Sequence, residues 1–416
     1  MKMTKLEKYW VLYDVGNSAF TLLVSTVIPI FYKNISMADG VSASDSTAYL
    51  GYAISLSTLI VAFLGPILGT IADRKNKKKP LFVFFMMMGV LGCAGLAVPA
   101  GWIAFLAIFV IAKVGFSGSL IFYDSMLVDV TSDERMDEVS SQGYAWGYIG
   151  SCIPFVLSLG LVLGSETLGI SAGAAMSAAF GLNALWWFLI TLPLLKSYEQ
   201  KYYVETENEN VGEVFRRLAH VFAEIKNNKK ILLFLIAFFF YIDGVYTIIE
   251  MATSYGKDVG ISDTSLLLAL LLTQVVAFPC AILFGRLAKR CQTKQLISVC
   301  IAAYFAVSVY AIWLDKPWEF WMMATLVGVF QGGIQALSRS YFAKIIPKEK
   351  SSEYFGIFDI FGKGASFLGT MFMGISTQMF NTSKAGVIVI AVMFVIGFFF
   401  FRFQCSVGEI ENGQEK

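Results

Sequence analysis

Histidine is almost absent from this sequence: a single residue, His220, stands in a polar segment of the 416-residue chain. Zinc sites and general acid–base constellations usually depend on imidazole, so neither is expected here. The Gly-x-x-x-x-Gly-Lys-Ser/Thr loop that binds nucleotide phosphates is also missing, and no nucleophile constellation is recognisable. These absences argue against an enzyme, against a metal or other cofactor, and against transport that this chain drives with ATP.

Charged residues are scarce as well. Asp, Glu, Lys and Arg make up 15% of the chain, whereas they make up about a quarter of an ordinary soluble domain. Apolar residues make up 57%, including 37 Phe, and a water-soluble protein could not bury that much apolar surface. The sequence therefore predicts an integral membrane protein. The net charge of +2 gives no indication of nucleic-acid binding.

Twelve apolar runs are long enough to cross a bilayer, because a spanning helix needs roughly 20 residues. The polar segment 197–230, which has helical spacing between residues 213 and 226, separates six runs from the other six. The sequence thus predicts an all-α membrane protein with two six-helix bundles, 1–196 and 231–416, joined by a cytoplasmic linker. The predicted spans are about 10–33, 47–72, 80–99, 101–127, 138–163, 174–196, 231–254, 262–288, 294–314, 318–343, 353–378 and 385–404.

Lysine and arginine are distributed unevenly between the two sides of the predicted membrane. Most of the 32 Lys and Arg residues follow the even-numbered runs or lie in the linker, on the same side as the N-terminus. Since cytoplasmic loops carry this excess in membrane proteins, both termini are predicted to be cytoplasmic.

The two predicted bundles contain a sequence repeat. One constant offset aligns Gly115 with Gly328, Ser125 with Ser338, and the glycine at 143 with the glycine at 356. A repeat this long indicates a duplicated half rather than a solenoid unit. Two like halves in one apolar chain are typical of secondary transporters, in which the site lies between the halves.

The segment 69–78, Gly-Thr-Ile-Ala-Asp-Arg-Lys-Asn-Lys-Lys, ends the second run and enters a basic loop. It resembles the signature loop between helices 2 and 3 of the major facilitator superfamily. The resemblance implies that Asp73 and Arg74 gate the cytoplasmic side by pairing with a basic side chain or a helix terminus of the other bundle. At the matching place of the second half, Lys289 replaces the acid. The alternative is a plain basic loop that only sets the orientation.

Three further segments narrow the resemblance. Residues 13–20, Tyr-Asp-Val-Gly-Asn-Ser-Ala-Phe, are similar to the opening signature of the vacuole effluxer family and its bacterial relatives, with Val-Gly where that family has Trp-Ala. Residues 141–150 and 332–340 match that family closely. It is a branch of the major facilitator superfamily linked to autophagy in fungi. The resemblance implies export of amino acids or similar small solutes, here by a monomer in the bacterial cell membrane.

Ionisable and polar residues inside the predicted helices are the candidates for function, because a charge in hydrocarbon costs several kcal/mol. In the fold that the resemblance implies, helices 1, 4, 7 and 10 line the central cavity. The substrate-binding candidates are Lys113, Asp243, Gln331, Gln335, Asn17, Tyr144 and Trp146. The candidates for ion pairing and proton coupling are Asp14, Asp359 and Lys363, and those for gating are Asp73, Arg74 and Arg339.

Lys113 is expected to bind a substrate carboxylate, and Asp243 an ammonium group or a coupling proton. The alternative is that these two residues form a structural pair across the bundles. Asp359 and Lys363 are four residues apart and share one helix face, so they can pair. The aromatic rings of Tyr144 and Trp146 can equally face lipid or the core.

The sequence as a whole predicts a proton-coupled secondary transporter of a small organic solute such as an amino acid. The expected partners are this solute, protons and the lipid bilayer. A rival substrate class is an amphipathic molecule such as a lysolipid or drug, which the many Phe and Met residues would suit. A second rival is a non-transporting membrane receptor or scaffold, which would leave the intramembrane charges unexplained.

Overall fold

A computed structural model describes residues 2–98, 101–205, 211–258, 260–314, 316–380 and 383–414. Part of the predicted linker, 206–210, and the C-terminal residues 415–416 lie outside the described residues. The described chain is helical apart from its loops, one 3₁₀ turn at Lys348–Lys350 and one isolated bridge between Arg74 and Val204.

The helices follow the predicted runs. Those of the first half are α1 (Lys5–Ser25), α2 (Val27–Ala38), α3 (Ala43–Ala72), α4 (Lys78–Gly95), α5 (Trp102–Ser125), α6 (Leu127–Val130), α7 (Met136–Leu163) and α8 (Ala172–Ser197). The linker contains α9 (Val211–Asn227). Those of the second half are α10 (Lys229–Asp258), α11 (Asp263–Leu287), α12 (Thr293–Ala311), α13 (Pro317–Ile345), α14 (Ser351–Phe380) and α15 (Ser383–Gln414).

Among the described residues, ten helices are long and apolar enough to cross a membrane, and the pair α1–α2, bent by 41°, forms one further span. The bend has a local cause, since Pro29 lacks the N–H that would continue the helix. The hydroxyl of Thr26 also bonds back to the carbonyl of Leu22 at 2.5 Å. With α14, which has 30 residues, these spans make up the predicted set of twelve.

The helices of each half pack mainly on one another: α1 on α7 and α8, α4 on α5, and α10 on α14 and α15. Between the halves, α3 packs on α14, and α7 packs on α11 and α13. The contact of α3 with α14 depends on glycine, because a Cβ atom on Gly356 would lie 2.8 Å from the backbone of Gly65. The two halves therefore meet along two pairs of closely apposed helices.

Candidate functional site

Arg339 of α13 lies in the interface between the halves and is only 2% exposed. Its guanidinium donates to Asp124 of α5 at 2.9 Å and to Asp14 of α1 at 3.3 Å. It also donates to the hydroxyl and the carbonyl oxygen of Ser140 on α7, at 2.9 and 3.0 Å. Each of these acceptors belongs to the first half, so this arginine of the second half is held entirely by its neighbour.

Aromatic rings complete the enclosure of Arg339. The guanidinium carbon lies 4.7 Å from the ring centre of Trp10 and 4.3 Å from that of Tyr144, distances at which cation–π attraction is effective. Trp10 stacks on Tyr123 at 4.4 Å, which fixes its ring. Because these rings exclude water, the charge interactions inside are stronger than at the surface. We call Arg339 with Asp14, Asp124, Ser140 and the three rings the arginine cage.

Asp73 makes a second contact between the halves, at the N-terminus of α14. Its two carboxylate oxygens accept the backbone N–H groups of Ser352 and Glu353, each at 2.9 Å. A carboxylate satisfies the free donors of a helix start and complements the positive end of its dipole. Burial raises the pKa of Asp73 to about 7, although Lys78 and the two N–H groups oppose that shift. A residue of the first half thus caps a helix of the second.

Lys78 is a functional candidate that the sequence did not single out. Its side chain is fully buried, with Nζ 3.0 Å from Asp129 and 2.9 Å from the hydroxyl of Ser351 on α14. Asp129 also accepts from the hydroxyl of Tyr198 at 2.6 Å. The lysine is one of five basic residues in this loop, and the sequence does not distinguish it as the one whose side chain is buried. The available sequence signal was the immediate start of an apolar helix at this lysine.

Further ion pairs between the halves surround these contacts. They follow one rule: the acid belongs to the first half and the base to the second. The pairs are Asp137–Lys344 at 2.5 Å, Glu138–Lys289 at 2.8 Å and Asp133–Lys348 at 2.7 Å. Lys289, which replaces the acid of the repeated loop, is one of these bases. All of these contacts, the arginine cage and the Asp73 cap lie toward the end of the molecule at which α1 begins, which we call the closed end.

The structure places Asp359 and Lys363 in an ion pair at 2.5 Å on α14. Lys363 also reaches across the interface to the carbonyl oxygen of Ser117 on α5, at 3.4 Å. Lys113, one turn before Ser117, lies half-buried in the middle of α5. Asp243 is fully buried and accepts from Thr247 at 3.3 Å and from the backbone N–H at position 369 at 3.0 Å. Both of these donors belong to the second half, so this carboxylate joins α10 to α14.

The other candidates lie in three different surroundings. Gln335 accepts a hydrogen bond from the hydroxyl of Tyr148 on α7, at 3.3 Å across the interface. Asn17 and Gln331 are buried. Trp146 is 46% exposed and packs on Phe278 at the surface, an arrangement that fits the lipid-facing alternative. Arg74 forms the backbone bridge to the linker at residue 204.

Helices of the second half line a partly open cavity of about 90 Å³. All of its lining residues come from α10 to α15. Most of them are apolar, and those with polar side-chain groups are Thr247, Tyr255, Thr273, Gln274, Ser308 and Gln331. The sequence did not predict this cavity, since it gave no information on which helices would leave space between them.

Known proteins resemble this chain over most of its length. The family described as "Vacuole effluxer Atg22 like" matches residues 43–407. The uncharacterized MFS-type transporter YxiO of Bacillus subtilis is 47% identical over 401 residues, 95% of this chain and 94% of that protein. Autophagy-related protein 22 of Eremothecium gossypii is 22% identical over 89% of this chain and 84% of its own.

Among solved structures, the major facilitator superfamily transporter FucP in its outward conformation is similar to this chain. The TM-score is 0.73, and the alignment covers 96% of this chain and 97% of FucP. The sequences are 14% identical, so this likeness shows the fold. The prediction of a major facilitator fold with two six-helix bundles is confirmed.

Proposed function

This chain belongs to the vacuole effluxer Atg22-like family of major facilitator superfamily transporters, and we propose that it moves amino acids or similar small organic solutes by proton-coupled alternating access. The membership makes it a multi-pass membrane transporter. The kind of solute, the coupling to protons, the placement of both termini in the cytoplasm and action as a monomer belong to the proposal.

The arginine cage is the observation that supports alternating access. The closed end can open only if Arg339 leaves the acceptors and rings of the first half, which would expose a guanidinium and two carboxylates to water. Such a change has two discrete states, because the buried ion cluster is either assembled or solvated. The proposed gating by Asp73 and Arg74 follows the same logic at the loop between α3 and α4.

The charge of the cage supports proton coupling. Asp14 and Asp124 share one guanidinium, so the cluster has a net charge of −1 when both carboxylates are ionised, and the neighbouring Tyr123, Tyr144 and Ser140 add no compensating charge. One proton would neutralise the enclosed cluster, whereas water solvates the separated groups after opening. Proton binding and closure are then linked, as any two events with a shared equilibrium must be.

Polar groups near the interface support a small solute with a carboxylate. Lys113 lies in the middle of α5, one turn from the contact of Lys363 with Ser117. We propose that Lys113 binds the solute carboxylate, with Asn17 and Gln335 as hydrogen-bonding neighbours. The ammonium group is assigned to Asp243.

Transport by the purified protein in liposomes tests this function. An inward-directed pH gradient should drive accumulation of one or more radiolabelled amino acids from a mixture, and a protonophore should abolish it. Asp14→Asn and Asp124→Asn should keep solute exchange but lose accumulation driven by the gradient. Glu319→Gln is the matched control, since Glu319 caps α13 by accepting the N–H of Lys316 at 3.1 Å, away from the closed end.

Two results would contradict the proposal. Gradient-driven movement of labelled lysophosphatidylcholine without movement of any amino acid would favour the amphipathic substrate class. Absence of any solute movement, in a protein whose closed end still opens and closes, would favour a receptor or scaffold.

A further inference from the structure

The linker between the halves holds both sides of the contact that Asp73 makes with α14. We propose that the linker is a clasp, in which residues 198–205 bind the first half and α9 binds the start of α14. The linker then stabilises the closed end in addition to joining the two bundles. This inference rests on the opening of the closed end that the proposed function requires.

Hydrogen bonds fix the first part of the linker on the first half. Asp129 of α6 accepts the backbone N–H groups of Lys201 and Tyr202 through one oxygen, each at 3.0 Å. The backbone N–H of residue 204 donates to the carbonyl oxygen of Asp73 at 2.7 Å. The residue that caps α14 is therefore also a residue that the linker holds in place.

Two ion pairs fix α9 on the second half. Arg217 lies 3.0 Å from the carboxylate of Glu353, whose side chain is fully buried. The backbone N–H of the same Glu353 donates to Asp73 at 2.9 Å. One turn of α9 or two further on, Glu224 accepts a hydrogen bond from Lys350 at 2.7 Å. Both pairs lie at the start of α14, so α9 is bound directly beside the cap.

The apolar side of α9 adds to this attachment. Val221 and Ile225 are four residues apart and therefore share one helix face, and they are 0% and 5% exposed. The helix contacts α3 of the first half as well as α10 and α14 of the second. A helix that contacts both halves must lose contacts with one of them when the halves separate. Its contact free energy therefore favours the closed state.

Arg217 should contribute more to the clasp than Glu224. In the closed state Glu353 has no exposed side-chain surface, so loss of Arg217 would leave a buried carboxylate without its cation, whereas water could solvate that carboxylate after opening. Lys350 and Glu224 are 26% and 31% exposed. Water and salt screen this second pair, and its contribution is smaller.

The separation of the halves tests the clasp without any transported solute. Spin labels on Lys8 of α1 and on Gln292, which precedes α12, occupy exposed positions outside the linker. Double electron–electron resonance on the full chain in nanodiscs, in a cysteine-free background, gives the ratio of open to closed states. Arg217→Met should raise this ratio at least about tenfold. The matched control is Arg216→Met, the same substitution at the neighbouring exposed residue, which should leave the ratio unchanged.

Charge reversal tests the second ion pair. Glu224→Lys and Lys350→Glu should each raise the ratio of open to closed states about two- to fivefold, because each places like charges together. The two substitutions combined restore an attractive pair and should return the ratio close to that of the wild type. A linker that only joins the bundles would show neither the single effects nor this restoration.

Three results would overturn the clasp: an unchanged ratio in Arg217→Met, equal effects of Arg217→Met and Arg216→Met, or no restoration by the combined charge reversal. Arg339→Ala, measured with the same labels, is the reference for opening. A long distance in Arg339→Ala beside a short one in Arg217→Met overturns the clasp alone. A short distance in both variants would contradict the opening itself, and with it the proposed alternating access.

Discussion

The two halves share a scaffold and differ in what they place on it. In the first half the hydroxyl of Tyr13 on α1 bonds to Ser119 on α5 at 2.6 Å, and in the second half that of Tyr241 on α10 bonds to Ser338 on α13 at 2.7 Å. This buried link joins the first and fourth spans of each half. Around it, the first half has a filled aromatic interior, whereas the second half contains the cavity.

The two halves also differ in the charges that they place at the closed end. The first half supplies carboxylates to the closed end, and the second half supplies Arg339, lysines and the start of α14. A strictly symmetric pair of halves would bring like charges together, which is unfavourable at short range. Divergence into an acidic and a basic partner is what allows two copies of one scaffold to attract each other at this end.

Arg339→Ala should have the largest effect on the closed end, because it leaves two carboxylates of the first half buried without their cation. Loss of one partner from a buried ion cluster costs about 3–5 kcal/mol, so the closed end should open. Spin labels on the exposed positions Glu134 and Glu349, in a cysteine-free background, would report the separation of the halves. Combining Asp14→Asn and Asp124→Asn with Arg339→Gln should restore part of the closed population; a closed distance in Arg339→Ala alone would contradict the role of the cage.

Trp187→Ala should show that the first half is packed more tightly than the second. Trp187 is fully buried in the first half, and truncation of a buried aromatic side chain costs about 3–5 kcal/mol of unfolding free energy. Ala324→Leu in the second half should cost nothing or stabilise by up to about 1 kcal/mol, because the cavity has room for the added atoms. The thermal unfolding midpoint in detergent measures both, and equal destabilisation would show that the second half is packed as tightly as the first.

Asp73→Asn should weaken the cap on α14 without unfolding the protein. The amide has one acceptor oxygen where the carboxylate has two, so one of the N–H groups of Ser352 and Glu353 would be buried without an acceptor, which destabilises the closed end by about 1–3 kcal/mol. The labelled pair should then show a larger open population. The same substitution at Asp45, which lies in the first turn of α3, serves as control and should leave the distance distribution unchanged.

The closed end should also respond to pH through Asp73, which Lys78 and Glu353 face. Its pKa is about 7 in the closed state and about 3.9 when the group is exposed to water. The closed state therefore binds the proton more tightly, and its population relative to the open state should rise roughly tenfold between pH 8 and pH 6. Above pH 8 this contribution is constant, and Asp73→Asn should remove it; a population that rises with pH instead would have the wrong sign.

Much of the fold could be predicted because each span is a local property of the chain. A run of about 20 apolar residues must form a helix in a bilayer, since no other conformation satisfies its backbone there. Asp359 and Lys363 are likewise four residues apart on one helix, and the structure places them in contact. The loop at 69–78 indicated that Asp73 would meet the other half, and it meets a helix terminus.

Sequence alone thus determined the number of spans, the duplication and the family. Tertiary structure decided which side chains contact each other. Asp14 contacts Arg339 although 325 positions separate them in the sequence, and Lys78, which belongs to a basic loop in the sequence, has a buried side chain. The membrane explains this division. Helices that are apolar on every side carry no periodic signal for their rotation, so only the packing of all twelve shows which side chains meet and where the cavity remains.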